Sequence, residues 1–283
     1  MNGPTLRRLA CAFVILPALA VIAPAADGPP SASPWDGDAR AAVRLVGGTP
    51  PPGAAFLIAG VEIRLGPAWK TYWRYPGDSG VPPRFDFAGS ANVKAARLRW
   101  PAPMRFADGG GTAIGYAGRV VFPVEVERID PEKPATLSLA LDYAICERLC
   151  VPVTARARLD LPAGDSEAAA VAAARARVPE RTALGDGGPL AIRAITVAEA
   201  GPKPRLVVTV AAPPGVVPDL FAEGPTDDWA LPVPEPAGEG PDGTRRFVFV
   251  LDGVPPGAEP RGATLRLTLV AGDRAIETTA RID

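Results

Sequence analysis

The sequence predicts an all-β protein of two β-sandwiches joined by a linker that holds one helix. Three observations carry this expectation. Short Val/Leu/Ile runs recur along the chain between turn residues, and glycine (30) and proline (35) are abundant; strands joined by tight turns have this grammar. The pattern is interrupted once, by an alanine-rich stretch after Gly164, and then resumes. At 283 residues the chain is long enough for two domains with their own cores.

The N-terminus reads as a secretory signal over residues 1–25. Arg7 and Arg8 form its charged region, Leu9 to Ile22 its apolar region, and Ala23-Pro24-Ala25 a small-x-small cleavage site that starts the mature chain at Ala26. The alternative is a membrane anchor, but the apolar run contains Pro17 and is short of the ~20 residues that span a bilayer. Cys11 leaves with the signal, and no later segment is apolar enough to cross a membrane. The formal net charge of −1 and the lack of long like-charge runs give no sign of a nucleic-acid surface.

Residues 26–40, rich in Pro, Gly, Ser and Asp, form a flexible lead-in. The first sandwich spans 41–162. Ala41 to Val46 and Ala55 to Leu65 alternate as strands, and Trp69 to Tyr75 is an aromatic cluster running into turn residues. In a regular strand Trp69 and Trp73 share one face and Tyr72 takes the other. That allows one face for core and one for a site, with plain core packing as the alternative. Arg84 to Phe87 and Val93 to Trp100 are further strands, closed by Pro101-Ala102-Pro103. Phe106 to Thr112 is a glycine loop, either a bland turn or a mobile gate. Arg119 to Val126, Ala135 to Tyr143 and Val153 to Leu161 complete the pattern.

Residues 163–188 form the linker. Asp165 or Ser166 caps its helix, the alanine run to Ala176 favours it, Arg175 and Arg177 suit its C-terminal end, and Pro179 stops it. Residues 189–283 repeat the strand grammar. Trp229 to Pro234 parallels Arg99 to Pro103, and Arg245 to Val250 parallels Arg119 to Val124. Val270 to Arg274 stands where the first half has its cysteines. This suggests a cysteine-free duplicate; chance likeness between two sandwiches is the alternative.

The chain has no histidine, which excludes Ser-His-Asp and Cys-His catalysis, imidazole metal sites and histidine pH switching. Sulfur is then the first candidate for chemistry, and Cys146 and Cys150 are the two cysteines outside the signal. A bridge across so small a ring adds little loop-closure stabilisation, and its short reach invites strain, a property of reducible disulfides. Arg148 between the sulfurs favours a thiolate and Glu147 opposes it. A structural disulfide remains the competing reading. Two thiolates without histidine leave a zinc shell incomplete, so neither a metal nor another cofactor is expected.

The surroundings of the pair carry a resemblance. Trp69-Lys70-Thr71-Tyr72-Trp73-Arg74, Trp100-Pro101-Ala102-Pro103, Ile114-Gly115-Tyr116, Gly118 to Val124, and Leu141-Asp142-Tyr143 leading to Cys146, Cys150 and Val151-Pro152 occur in that order. The run from Gly66 to Leu161 resembles the N-terminal periplasmic domain of the thiol:disulfide interchange protein DsbD and its ScsB-like copper-tolerance relatives.

The resemblance implies an immunoglobulin-like sandwich in the periplasm, of the kind associated with cytochrome c biogenesis and copper tolerance. Cys146 and Cys150 would be its redox pair. Trp69, Tyr72, Tyr116, Tyr143 and Arg148 would surround it, and the segment Phe106, Asp108, Gly109, Gly110, Gly111 would cap it. The chain departs from the family in its closer cysteine spacing and in a cap with no central aromatic. It also lacks the membrane and thioredoxin-like domains, so a separate membrane electron-transfer protein is the expected electron source. The expected function is an exported thiol:disulfide exchange module serving envelope thiol/disulfide proteins. A non-catalytic binding protein with a structural disulfide is the alternative.

Overall fold

In a computed structural model that describes residues 28–108 and 111–283, the first eleven strands are β1 (Asp36–Gly37), β2 (Ala41–Gly48), β3 (Leu57–Leu65), β4 (Lys70–Gly77), β5 (Arg84–Asp86), β6 (Val93–Leu98), β7 (Met104–Asp108), β8 (Gly111–Ala117), β9 (Arg119–Arg128), β10 (Ala135–Cys146) and β11 (Cys150–Leu161). After helix α1 (Ala168–Ala176) come β12 (Glu180–Arg181), β13 (Ala191–Glu199), β14 (Arg205–Ala211), β15 (Pro218–Glu223), β16 (Glu235–Glu239), β17 (Arg245–Val250), β18 (Thr264–Ala271) and β19 (Arg274–Arg281). The signal segment expected at residues 1–25, with Arg7, Arg8 and Cys11, lies outside the described residues, as do Gly109 and Gly110 of the cap.

Period-two alternation builds the first core. On β10, Leu137, Leu139, Leu141, Tyr143 and Ile145 all turn inward. They meet Val43 and Leu45 of β2, Val61 and Ile63 of β3, and Phe122, Val124 and Val126 of β9. The two sheets that enclose this core run β1-β2-β3-β9-β6 and β11-β10-β4-β8-β7, with β5 paired to β10. The second core gathers Leu206, Val208 and Val210 of β14 with Phe247 and Phe249 of β17 and Leu265, Leu267 and Leu269 of β18. Its sheets run β12-β19-β18-β15 and β13-β14-β17-β16. The all-β expectation of two sandwiches with one helix between them is borne out.

The strand orders match. β13-β14-β17-β16 follows β2-β3-β9-β6, and β19-β18-β15 follows β11-β10-β4. The β7–β8 hairpin and short β5 have no counterpart in the second sandwich. The two proline runs paired on sequence occupy different connections: Arg99 to Pro103 follows β6, whereas Trp229 to Pro234 precedes β16.

Two local expectations fare differently. The helix begins at Ala168 with Glu167 as N-cap and no side-chain capping bond. Ser166 instead bonds Ser31 Oγ at 2.5 Å, and Glu167 accepts from Arg44 at 2.9 Å. The helix buries Val171 and Ala174 against Val46, Ile58 and Val121, so this part of the linker is docked on the first sandwich. Within the expected flexible lead-in, residues 31–37 lie along β2. The Gly47 N–H donates to Ser31 O at 2.7 Å, and the Leu45 N–H to Ser33 Oγ at 2.9 Å. Trp35 sits under the guanidinium groups of Arg44 and Arg64, at 4.5 and 4.7 Å.

The two sandwiches meet through β4. Arg74 donates to both carboxylate oxygens of Glu223 at 2.8 and 2.7 Å and to Glu277 at 2.6 Å. The Tyr75 hydroxyl donates to Leu231 O, and the Trp73 ring lies 5.9 Å from that of Phe221.

Candidate functional site

The β10–β11 hairpin holds its register from Ala135↔Leu161 to its last pair, Cys146↔Cys150. Glu147 to Leu149 make the turn, so the two cysteines face each other across the hairpin mouth, and a disulfide joins them. The sulfurs are not equivalent. Cys146 is 2% exposed, while Cys150 is exposed beside Leu149, itself 79% exposed. On β10 the odd-numbered apolar residues fill the core; the opposite face puts Ala144 and Cys146 against Tyr72, Ala113 and half-buried Phe106.

β4 supplies the next layer. Its register sets Lys70 opposite Cys146 and Thr71 opposite Ile145, and Thr71 Oγ1 donates to Ala144 O at 2.9 Å. The expected division of faces holds: Trp69 and Trp73 pack on the core, and Tyr72 lies on the cysteine side. The Tyr72 hydroxyl is 2.9 Å from Cys150 Sγ and 2.8 Å from Asp108 Oδ2. The turn after β4 lies flat on this ring. A Cβ at Gly80, whose φ is +132°, would stand 2.5 Å from Tyr72 ring carbons, so only glycine fits there.

The cap is a hairpin rather than an open loop. β7 pairs with β8 from Met104↔Gly115 to Asp108↔Gly111. The Thr112 N–H donates to Asp78 Oδ2 and the Asp78 N–H to Thr112 O, both at 3.0 Å, which ties the hairpin to the turn over Tyr72. Gly111 is half-buried beside Asp78. Asp108, at the end of β7, places Oδ1 3.4 Å from Cys146 Sγ; its Oδ2 accepts from Tyr72 and, at 3.3 Å, from Ser79 Oγ. Phe106 lies 6.3 Å from the Tyr72 ring, with Lys70 Nζ 4.9 Å above its own ring. Burial, and then the Asp108 carboxylate, push the Tyr72 phenol well above its ordinary value, so it stays a neutral donor.

Three of the expected neighbours of the pair face elsewhere. Tyr143 is three residues from Cys146 on β10, so it takes the opposite face and packs in the core. Burial pushes its phenol up to about 12, with Asp36 and Asp38 adding to the shift. Tyr116 also faces the core, edge-on to Phe122 at 5.2 Å, and donates to Pro101 O at 2.8 Å. Trp69 packs on the core with the Arg40 guanidinium 5.9 Å above it. Arg148 is exposed in the turn between the sulfurs. Lys70 and Ser79 were not anticipated. Lys70 was within reach of the sequence, because it shares a strand face with Tyr72; Ser79 was not, because a turn brings it to Asp108.

Asp108, Cys146 and Cys150 place their ligating atoms within 4.8 Å of one another. Metals bind the thiolate form of cysteine, which the disulfide does not offer. The arrangement suits thiol chemistry: an accessible sulfur, a buried sulfur to leave or resolve, a neutral hydroxyl on the first and a carboxylate beside the second.

Residues 56–162 match the family model described as thiol:disulfide interchange protein DsbD, N-terminal. The match runs from β3 through β11 and includes Tyr72, Asp108, Cys146 and Cys150. The chain is similar in structure to the N-terminal periplasmic domain of ScsB from Proteus mirabilis, with a TM-score of 0.70 and 22% identity, over 89% of this chain and 98% of that one. At that identity the likeness speaks to the fold of both sandwiches. No curated protein matches the chain. The resemblance read from the residues around the cysteine pair is borne out over the matched segment.

Proposed function

From a chain whose residues 56–162 match the DsbD N-terminal family, we propose a periplasmic thiol:disulfide exchange module. It passes electrons between a membrane or soluble redox partner and envelope proteins through Cys146 and Cys150. In this reading residues 41–162 are the exchange sandwich, 163–188 the linker and 189–283 a cysteine-free second copy.

One observation carries the proposal: Cys150 is exposed while Cys146 is buried under the cap. A partner's thiolate attacks Cys150 Sγ, the Cys146–Cys150 bond breaks, and Cys146 leaves as a thiolate that takes a proton. The partner's second thiolate then attacks the partner sulfur of the mixed disulfide and expels Cys150. The partner ends oxidised by two electrons and this pair ends as a dithiol. Run in reverse, the reduced Cys150 attacks an envelope disulfide and Cys146 resolves the adduct. The Tyr72 hydroxyl donates its one proton to Asp108 Oδ2 beside the disulfide and lies 2.9 Å from Cys150 Sγ, so the proton can turn from Asp108 to the Cys150 thiolate when that forms.

Redox titration tests this. A structural bridge in an exported protein has a reduction potential below about −300 mV, whereas an exchange site is more easily reduced. The proposal expects the Cys146–Cys150 bond to open in mild dithiol buffers; resistance to them favours a structural role.

A further inference from the structure

The second sandwich carries no cysteine, yet it grips the strands that carry the site. We infer that it braces the cap hairpin through Arg105, and so holds Asp108 and Phe106 over the sulfurs. The consequence for exchange rests on the function proposed above; the grip itself is a matter of geometry.

β7 closes one end of its sheet and pairs with β8. As an edge strand β7 has a sheet neighbour on one side alone, β8, and such a strand opens locally more readily than a central one. Side chains alternate along β7, so Phe106 and Asp108 turn to the sulfurs and Arg105 turns away. Arg105 reaches the second sandwich. Its Nη2 donates to Asp219 Oδ1 at 2.6 Å and to Pro234 O at 2.8 Å; its Nε donates to Asp219 Oδ2 at 3.3 Å, and its Nη1 to Glu235 Oε1 at 3.1 Å. A planar guanidinium fork held at this many points fixes orientation as well as distance.

β4 is anchored to the same partner. Arg74 and Tyr75, close behind Tyr72, bind Glu223, Glu277 and Leu231 O. Both strands that meet at the Tyr72–Asp108 hydrogen bond are therefore fastened to the second sandwich within three residues of it. The hairpin thus held is absent from the second sandwich itself. Arg105 acts on the sulfurs through Asp108 and is a positioning residue.

The test uses the full chain, reduced with a phosphine strong enough to open a structural disulfide. Alkylation of Cys146 by iodoacetamide is followed by mass mapping of its peptide. Arg105→Ala is expected to raise that rate roughly tenfold, and Asp219→Ala, on the far side of the contact, to raise it in the same direction. Arg105→Lys should fall between wild type and Arg105→Ala. Arg99→Ala, which removes a surface ion pair with Glu125, should leave the rate unchanged. Asp108→Ala should itself raise the rate, and the Arg105→Ala/Asp108→Ala double variant should be no faster than Asp108→Ala, because the two act through one hold.

If Arg105→Ala and Asp219→Ala both stay within about twofold of wild type, or if the Arg105 and Asp108 effects multiply, the inference is overturned. Should Arg105→Ala fail to fold, Asp219→Ala decides alone. Resistance of the wild-type disulfide to mild dithiols would count against the exchange function and would leave this comparison intact.

Discussion

The Tyr72 hydroxyl lies 2.9 Å from Cys150 Sγ although the two residues sit on strands separated by β10. The tyrosine ring reaches across its neighbour to the exposed sulfur. Its other contact, Asp108 Oδ2 at 2.8 Å, holds it there. Tyr72→Phe keeps the ring that fills the space beneath the Gly80 turn and removes the hydroxyl alone. A hydrogen bond to a charged group contributes about 1.5–3 kcal/mol; losing it lowers the thiolate fraction of the reduced Cys150 but leaves each thiolate more nucleophilic, so attack should slow about fourfold to fifteenfold. Stopped-flow exchange with a small disulfide measures this. An unchanged rate would show that the hydroxyl does not support the thiolate.

The four tyrosines predict an alkaline limit. Burial is the leading cause that raises the phenols of Tyr72, Tyr75, Tyr116 and Tyr143, the last to about 12. In the unfolded chain they ionise near pH ~10. Their folded values are higher, so the stability they contribute is complete below pH ~10 and is lost as pH rises through the folded values. Absorbance at 295 nm should stay flat through pH ~10.5 in the native protein, and the urea midpoint should fall above it. Native phenolate signal with a midpoint near pH ~10 would contradict the burial.

Arg74 predicts the strength of the contact between sandwiches. Arg74→Ala leaves Glu223 and Glu277 facing each other in a mostly buried place. Breaking a buried pair from one side costs about 3–5 kcal/mol. Arg266, 3.7 Å from Glu223 and 3.9 Å from Glu277, offsets part of this, so about 3 kcal/mol is expected in denaturant unfolding. Arg74→Met should cost as much, because the loss comes from the carboxylates left behind. A change under about 1 kcal/mol would mean that the pair behaves as a surface contact.

Much of this arrangement was legible in the sequence, and the remainder has identifiable causes. Alternation revealed β10 and β11 and the two faces of β4, because sheet burial imposes a period of two. The same rule, applied to Tyr143, would have put it opposite Cys146; family likeness placed it beside the pair. Tyr116 shares a face with Ile114 and the core, again by alternation. The cap read as a loop because the run Gly109 to Gly111 gives no strand signal in the sequence, while Met104 to Asp108 is too short to announce a strand. The helix cap failed for a tertiary reason: Ser31 and Arg44 claim Ser166 and Glu167. The contacts of Arg74 and Arg105 join residues more than 100 positions apart, and nothing local encodes their partners.

Trapping of a mixed disulfide tests the central claim most directly. With Cys150 as the attacked sulfur and Cys146 as the resolving one, the Cys146→Ala variant in an oxidising envelope should accumulate covalent complexes that dissolve with reductant. Cys150→Ala should accumulate far fewer, because its remaining sulfur is buried, and the double variant none. The account is contradicted if neither single variant forms an adduct, or if Cys150→Ala traps as much as Cys146→Ala.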